Sequence, residues 1–237
     1  MKKFAILIEI SLSANFLTVK MSAHNASPVR KVEFEYDNGD HYVGDMMGGS
    51  FHGQGDFHRA SGTRYKGGFW NGNYDGWGEM TWADGDVYYG TWKDGMKDGK
   101  GTFTFGSGNV YDGIWEKNQK SGQGTFKWTD GGCYVGEFQN DKKNGQGKMN
   151  FPNGDCYVGG WYNGAMHGNG EIRLGSGARF AGMWKDGVKS GDGEYTWASG
   201  NVYRGSWMGD KMHGFGNMKF ADGRALQGDW VNGNFQG

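Results

Sequence analysis

The chain has 237 residues, 48 of them Gly and only 2 Pro, with 15 Phe, 12 Tyr and 11 Trp. Glycine at three times its usual share of about 7%, without a three-residue period, excludes collagen, and aromatics at 16% exclude a flexible Gly/Ser linker. With 25 Lys+Arg against 26 Asp+Glu the net charge is −1, which excludes a domain-wide basic footprint for nucleic acid, and the 2 Cys exclude a disulfide framework.

Residues 1–33 read as an N-terminal tail. Met1-Lys2-Lys3 precedes the apolar run Phe4–Ile8, which Glu9 interrupts before it resumes patchily to Val19. Three readings stay open: a signal peptide, for which only Ser11-Leu12-Ser13 offers a cleavage site; a hydrophobic tether; or a stretch ahead of a true start at Met21. The interruption counts against secretion. The one glycosylation sequon, Asn25-Ala26-Ser27, lies in the same tail. No run of 18 or more apolar residues follows, so no spanning helix is expected in the body.

From residue 34 a repeat takes over. Tyr-x-Gly starting at Tyr42 returns every 23 residues at Tyr65, Tyr88, Tyr111, Tyr134 and Tyr157, then at Phe180 and Tyr203, and Leu226 opens an incomplete last copy. The array is thus a partial copy at 34–41, eight full repeats at 42–225 and a partial copy at 226–237. Counting Tyr42 as position 1, Gly recurs at positions 3, 12, 14 and 21, and these four columns hold 35 of the 48 glycines. Positions 1, 5, 16 and 18 hold 28 of the 38 aromatics.

Positions 1, 3 and 5 share one face of an extended strand, as do 14, 16 and 18, so each repeat predicts two short strands of period two. Position 20 is always Asp, Asn or Ser and is followed by Gly, which is hairpin-turn chemistry. A three-residue loop with the Gly in a left-handed bulge is expected, because an odd loop sets positions 16 and 1 opposite each other on one face. Position 8 is Gly in six copies and Asn118, Asp141 or Asp210 in the rest, all tolerant of positive φ, so a second loop is expected there, extending through positions 9–11. The mid-strand glycines at 3 and 14 leave bare backbone for a neighbouring aromatic ring to lie across. The fold class is therefore all-β: an elongated antiparallel hairpin array in one twisted sheet or trough.

Copies such as Tyr88-Tyr89-Gly90-Thr91-Trp92-Lys93-Asp94-Gly95 and Tyr157-Val158-Gly159-Gly160-Trp161-Tyr162-Asn163-Gly164 closely resemble the MORN repeat (membrane occupation and recognition nexus), over about 34–237. The resemblance implies an elongated β array like those of junctophilins, plant phosphatidylinositol phosphate kinases, a ciliary radial-spoke head protein, a lysine methyltransferase and protist cytoskeletal scaffolds. In many of these the array targets or assembles, and any catalysis lies in another domain. Met46 at position 5, Arg59 at position 18 and Leu226 at position 1 depart from the pattern near the two ends, where capping copies are expected.

Candidate chemistry is sparse. Gly99-Lys100-Gly101-Thr102 hints at a phosphate loop, but only three residues separate Gly95 from Gly99, a Gly follows the Lys, and the segment is in repeat register. His52, His167 and His213 all occupy position 11 in repeats one, six and eight, too far apart to share a metal. Cys133 and Cys156 sit at the same position of successive repeats, about 9–10 Å apart, and are expected to be free thiols. No catalytic, cofactor or metal residues are expected, and the aromatic columns are explained by packing at less cost than by a ligand groove.

Two surfaces carry the binding expectations. Lys97, Lys120, Lys142, Lys143, Lys189 and Lys211 fall at positions 9–11 and are expected along one edge, facing an anionic lipid, a protein partner or only solvent. His58, Arg59, Arg64 and Lys66 make a smaller basic cluster at the first turn. The strand Leu226, Gln227, Gly228, Asp229 and Trp230 is expected to lack a following partner and to pair with a second copy as a homodimer edge. The resulting expectation is a non-enzymatic scaffold for protein partners at cytoskeletal, ciliary or membrane-associated structures in the cytoplasm. The alternative is a peripheral phospholipid (phosphoinositide)-binding targeting module, or a regulatory subunit of a lipid-kinase-type enzyme.

Overall fold

The computed structural model describes residues 29–237, so the readings of the signal, tether and start site lie outside the described residues. Strand β1 is Arg30–Glu35, β2 is His41–Met47 and β3 is Ser50–His58. Then come β4 (Arg64–Trp70), β5 (Asn73–Thr81), β6 (Val87–Lys93), β7 (Met96–Thr104), β8 (Val110–Glu116) and β9 (Gln119–Lys127). Strands β10 (Cys133–Gln139), β11 (Lys142–Asn150), β12 (Cys156–Tyr162), β13 (Ala165–Arg173), β14 (Arg179–Lys185) and β15 (Val188–Thr196) continue the series. It ends with β16 (Val202–Met208), β17 (Lys211–Lys219), β18 (Ala225–Val231) and the short β19 (Asn234–Phe235). These nineteen strands form one sheet in which each pairs antiparallel with the next. At ~4.8 Å per strand such a sheet is on the order of 90 Å long.

Both turns follow from local chemistry. Between repeats, Trp82 N donates to Asp86 O at 2.9 Å and Gly85 N to Trp82 O at 3.0 Å. Three residues lie between, and Gly85 at φ 90° takes the left-handed position. The odd loop sets Met80 opposite Tyr88 and Phe103 opposite Tyr111, position 16 against position 1, as the spacing predicts.

The turn inside each repeat is tighter than expected. Asp94 (φ 49°) and Gly95 (φ 77°) make a two-residue turn with both φ positive, the type I′ geometry that matches strand twist. Positions 9–11 are therefore the start of a nine-residue strand rather than a long loop. The strand takes up the extra residues in a bulge: Gly90 pairs with Gly101 and Trp92 with Lys97, so Thr91 alone spans residues 98–100. Gly99 carries the bulge at φ 92°, which accounts for the Gly at position 12 and gives Gly99-Lys100-Gly101 a structural role.

A single-layer sheet still buries a core on one face. The rings of Tyr42, Tyr65, Tyr88, Tyr111, Tyr134, Tyr157, Phe180 and Tyr203 are almost wholly enclosed. Each lies flat on the glycines of positions 3 and 14; a Cβ on Gly113, for example, would stand 2.5 Å from the Tyr111 hydroxyl. Trp walls stand on both sides: Tyr88 meets Trp92 at 5.0 Å and Trp115 at 5.5 Å, ring edge to ring face. The bulge frees the position-4 carbonyl to accept the tyrosine hydroxyl, as Thr91 O accepts from Tyr88 at 2.9 Å. The indole N–H of Trp115 reaches Gly101 O of the preceding repeat at 3.1 Å. Burial of each ring contributes about 2–3 kcal/mol, and because every ring touches the next repeat, the contribution couples neighbours.

Successive turns are also tied together. Asp86 Oδ1 accepts from Gly106 N at 2.7 Å and Asp155 Oδ1 from Gly175 N at 2.8 Å, each spanning to the next repeat. Cys133 and Cys156 flank Asn150 from opposite sides in register and are free.

The last strand is partly covered, contrary to expectation. Beyond a further two-residue turn, Asn234 and Phe235 pair with Val231 and Trp230, and Gln236 N donates to Asp229 O at 2.9 Å. The open part of the edge is Ala225, Leu226 and Gln227, all exposed, while Gly228 is buried under the fold-back.

Candidate functional site

Position 10 decides what the aromatic face presents. Because position 5 pairs with position 10, the position-10 side chain points to the same face and lies over the ring of position 1. In the first two repeats it is an aromatic: Phe51 stacks on Tyr42 at 3.9 Å and Tyr74 on Tyr65 at 4.0 Å. In later repeats it is Lys97, Lys120, Lys143, Met166, Lys189 and Met212.

The four lysines here are not on an edge. Lys97 Nζ sits 4.2 Å from the Trp115 ring centre, 4.5 Å from Phe103 and 5.7 Å from Tyr88. Lys143 Nζ is 4.0 Å from Trp161. Lys189 lies 5.1 Å from both Tyr195 and Trp207, and Lys120 lies 5.6 Å from Phe126. Each stem covers a ring while the ammonium faces π clouds, an arrangement worth about 0.5–2 kcal/mol. Burial pulls the Lys97 ammonium down to about 8 and lowers Lys143 and Lys189 as well. Lys120 and Lys189 have carboxylate neighbours, Asp141 at 3.5 Å and Asp210 at 3.9 Å. Among the described residues no carboxylate lies within 4.0 Å of Lys97 or Lys143. Lys142 and Lys211, at position 9, are exposed, so the six expected edge lysines divide into an inward column of four and an outward pair.

The cluster at the first turn divides too. Arg64 and His58 both meet Asp56 on the opposite face, at 2.5 and 2.9 Å, and the hydrogen bond from Arg64 holds the Asp56 carboxyl below the usual range. Lys66 stands on that face in register with Asp56. Arg59 instead turns to the aromatic face, 5.7 Å from the Phe57 ring. Two adjoining open hollows of about 310 and 330 Å³ lie there, sharing Arg59, Tyr74 and Gly95.

The histidines of position 11 stay apart. His52 lies against Trp70 with ring centres 4.5 Å apart, and His167 against Tyr162 at 5.5 Å. Among the described residues no group of three or more His, Cys, Asp or Glu side chains converges, and no helix is long and apolar enough to cross a membrane.

The inward column escaped the sequence reading, which placed positions 9–11 in a loop. Its signal was present: Phe51, Tyr74, Met166, Met212 and Phe235 share the column with the lysines, all long chains with an apolar body.

The comparison that decides the family is with the MORN repeat, whose pattern matches residues 42–64, 65–87, 88–110, 111–133, 134–156, 157–179, 180–202 and 203–223. This chain belongs to the MORN repeat family. MORN repeats are typically non-enzymatic and often take part in membrane or protein interactions. No curated protein matches the sequence significantly. Three solved structures show remote similarity. The TCP domain of SAS-4 in complex with a proline-rich motif of Ana2, from Drosophila melanogaster, is 10% identical, with 89% of this chain and 97% of that one covered and a TM-score of 0.35. Virginiamycin B lyase from Staphylococcus aureus is 8% identical over 90% of this chain and 74% of that one, with a TM-score of 0.16. A streptogramin B lyase is 9% identical over 90% and 72%, with a TM-score of 0.17. At these scores the likenesses carry no inference about the MORN array.

Proposed function

We propose that this chain is a non-enzymatic MORN scaffold whose aromatic face binds protein partners at cytoskeletal, ciliary or membrane-associated structures in the cytoplasm. The observation that carries this reading is an aromatic face running the length of the sheet, over which the described residues lay no second layer and on which the Lys97 and Lys143 ammonium groups have no carboxylate within 4.0 Å among the described residues. A surface of stacked rings and cations suits protein side chains, since aromatic and basic residues dominate interface energetics. The glycine loops that hinted at phosphate binding are occupied with turn and bulge geometry, which favours scaffold over catalyst. Chemical cross-linking and capture from the native source tests this: discrete, stoichiometric protein partners are expected. A chain that captures none, yet co-sediments with anionic vesicles at low salt, overturns it in favour of the lipid-binding alternative. That alternative rests on the exposed Lys142 and Lys211, and their charge reversal is its specific control.

A second copy is a further proposed partner, through the open edge Ala225–Gln227 and the exposed Leu226. Light scattering that gives a strict monomer at high concentration, unchanged by Leu226→Lys, removes this part.

A further inference from the structure

Arg59, which breaks its column, and Lys97, the first lysine of position 10, border one hollow. Position 18 is an aromatic or Leu in every other copy, from Tyr36 to Phe220, and only Arg59 is charged. Position 10 is aromatic at Phe51 and Tyr74 and turns basic at Lys97. Phe51, Phe69, Tyr74 and Trp92 line the two adjoining hollows, with Arg59 bordering both and Lys97 closing the second. Each hollow alone, at about 310 and 330 Å³, is at the small end of the ~300–1,000 Å³ typical of ligand pockets, and both are open. Among the described residues neither cation has a carboxylate within 4.0 Å.

A half-buried ammonium whose carboxylates, Asp141 and Asp86, act only from beyond contact is costly to hold, and cation–π contacts offset only part of that cost. The depressed proton affinity of Lys97 is the same penalty seen from the titration side. An arriving anion recovers it. Lys97 lies recessed among the Phe103 and Trp115 rings, where a single side chain reaches it more readily than a planar headgroup layer.

We propose that the hollow spanning repeats one to three recognises an acidic peptide segment of a partner protein, with one bulky apolar side chain between Phe69, Tyr74 and Trp92 and carboxylates on Arg59 and Lys97. This rests on the scaffold reading and names the chemistry of the partner.

The repeat itself supplies variants that keep the fold. Lys97→Met places at position 10 the residue already there in repeats six and eight, and Arg59→Phe places at position 18 the residue found in repeats three, five and eight. Both are expected to melt at or above the wild-type temperature. The probe is a labelled short peptide with acidic residues on both sides of one phenylalanine, read by fluorescence anisotropy on the full chain. Each substitution weakens binding about tenfold or more, as expected for losing a charge-assisted hydrogen bond. Replacing the phenylalanine by serine weakens it similarly, and a lysine-for-acid peptide does not bind. The inference is overturned if the double variant binds the acidic peptide as the wild type does, or if the wild type does not bind it at millimolar concentration. It is also overturned if the double variant loses only phosphatidylserine-vesicle binding. In parallel capture from the native source, a double variant that keeps every wild-type partner overturns this inference and leaves the scaffold reading standing. A wild-type chain that captures no protein removes both.

Discussion

Gly147→Ala, in the middle of the array, isolates the packing device on which the fold depends. The new Cβ would stand 2.6 Å from Cε2 and Cζ of Tyr134, where ordinary contact begins near 3.4 Å. The ring must lift by roughly 1 Å, and it is held on every side: Phe138 at 5.1 Å, Trp161 at 5.3 Å, and Lys143 Nζ 5.6 Å from its centre. Lifting also stretches the hydroxyl off Glu137 O, now at 3.0 Å. Overpacking of about 1–3 kcal/mol plus a hydrogen bond of about 1 kcal/mol gives a loss of about 2–4 kcal/mol. Gly164→Ala is the control: its φ is 90° but nothing lies within 4 Å, so only backbone strain of about 1–2 kcal/mol applies. Urea unfolding followed by circular dichroism and tryptophan fluorescence measures both. With Tyr134→Leu, which puts at position 1 the residue the last copy already has, the cost of Gly147→Ala should fall below about 1 kcal/mol. The packing argument fails if Gly147→Ala costs no more than Gly164→Ala, or if its cost survives removal of the ring.

The remaining expectations concern the bonds between repeats and the buried lysine. Trp161→Phe deletes the indole N–H bond to Gly147 O at 3.3 Å and should cost about 1–2 kcal/mol in the same unfolding assay, since a phenylalanine is already accepted at Phe138. Asp155→Ala removes the acceptor of Gly175 N at 2.8 Å and should cost about 1–2 kcal/mol, while Asp155→Asn keeps most of it; equal losses would deny that hydrogen bond its role. For Lys97, folding lowers the proton affinity to about 8 from an unfolded value near ~10.4, so between these values the folded state binds fewer protons. The burial penalty is therefore fully present below pH 8 and fades as pH rises toward 10. The melting advantage of Lys97→Met over wild type should accordingly shrink between pH 7 and pH 9.5, and an unchanging gap would place the ammonium in water.

The repeat length, the strand pairs, the three-residue loop and the facing of positions 16 and 1 were all legible in the sequence. Each is a local consequence of residue type: Gly where φ is positive, alternation where a strand has one buried face, and an odd loop that preserves the face. Recurrence amplified these weak signals, because an error in one copy is corrected by the other copies. The direction of the lysines was not legible. Whether Lys97 points outward or lies over Tyr88 depends on a two-residue turn followed by a bulge at Gly99, and a bulge changes which positions share a face. The C-terminal fold-back over Trp230 and the meeting of Arg59 with Lys97 across one hollow likewise arise between strands of different copies. The sequence by itself determined the fold, since every repeat states the same local rules. Only the tertiary structure decided which side chains of successive repeats meet and leave cations without partners on the aromatic face.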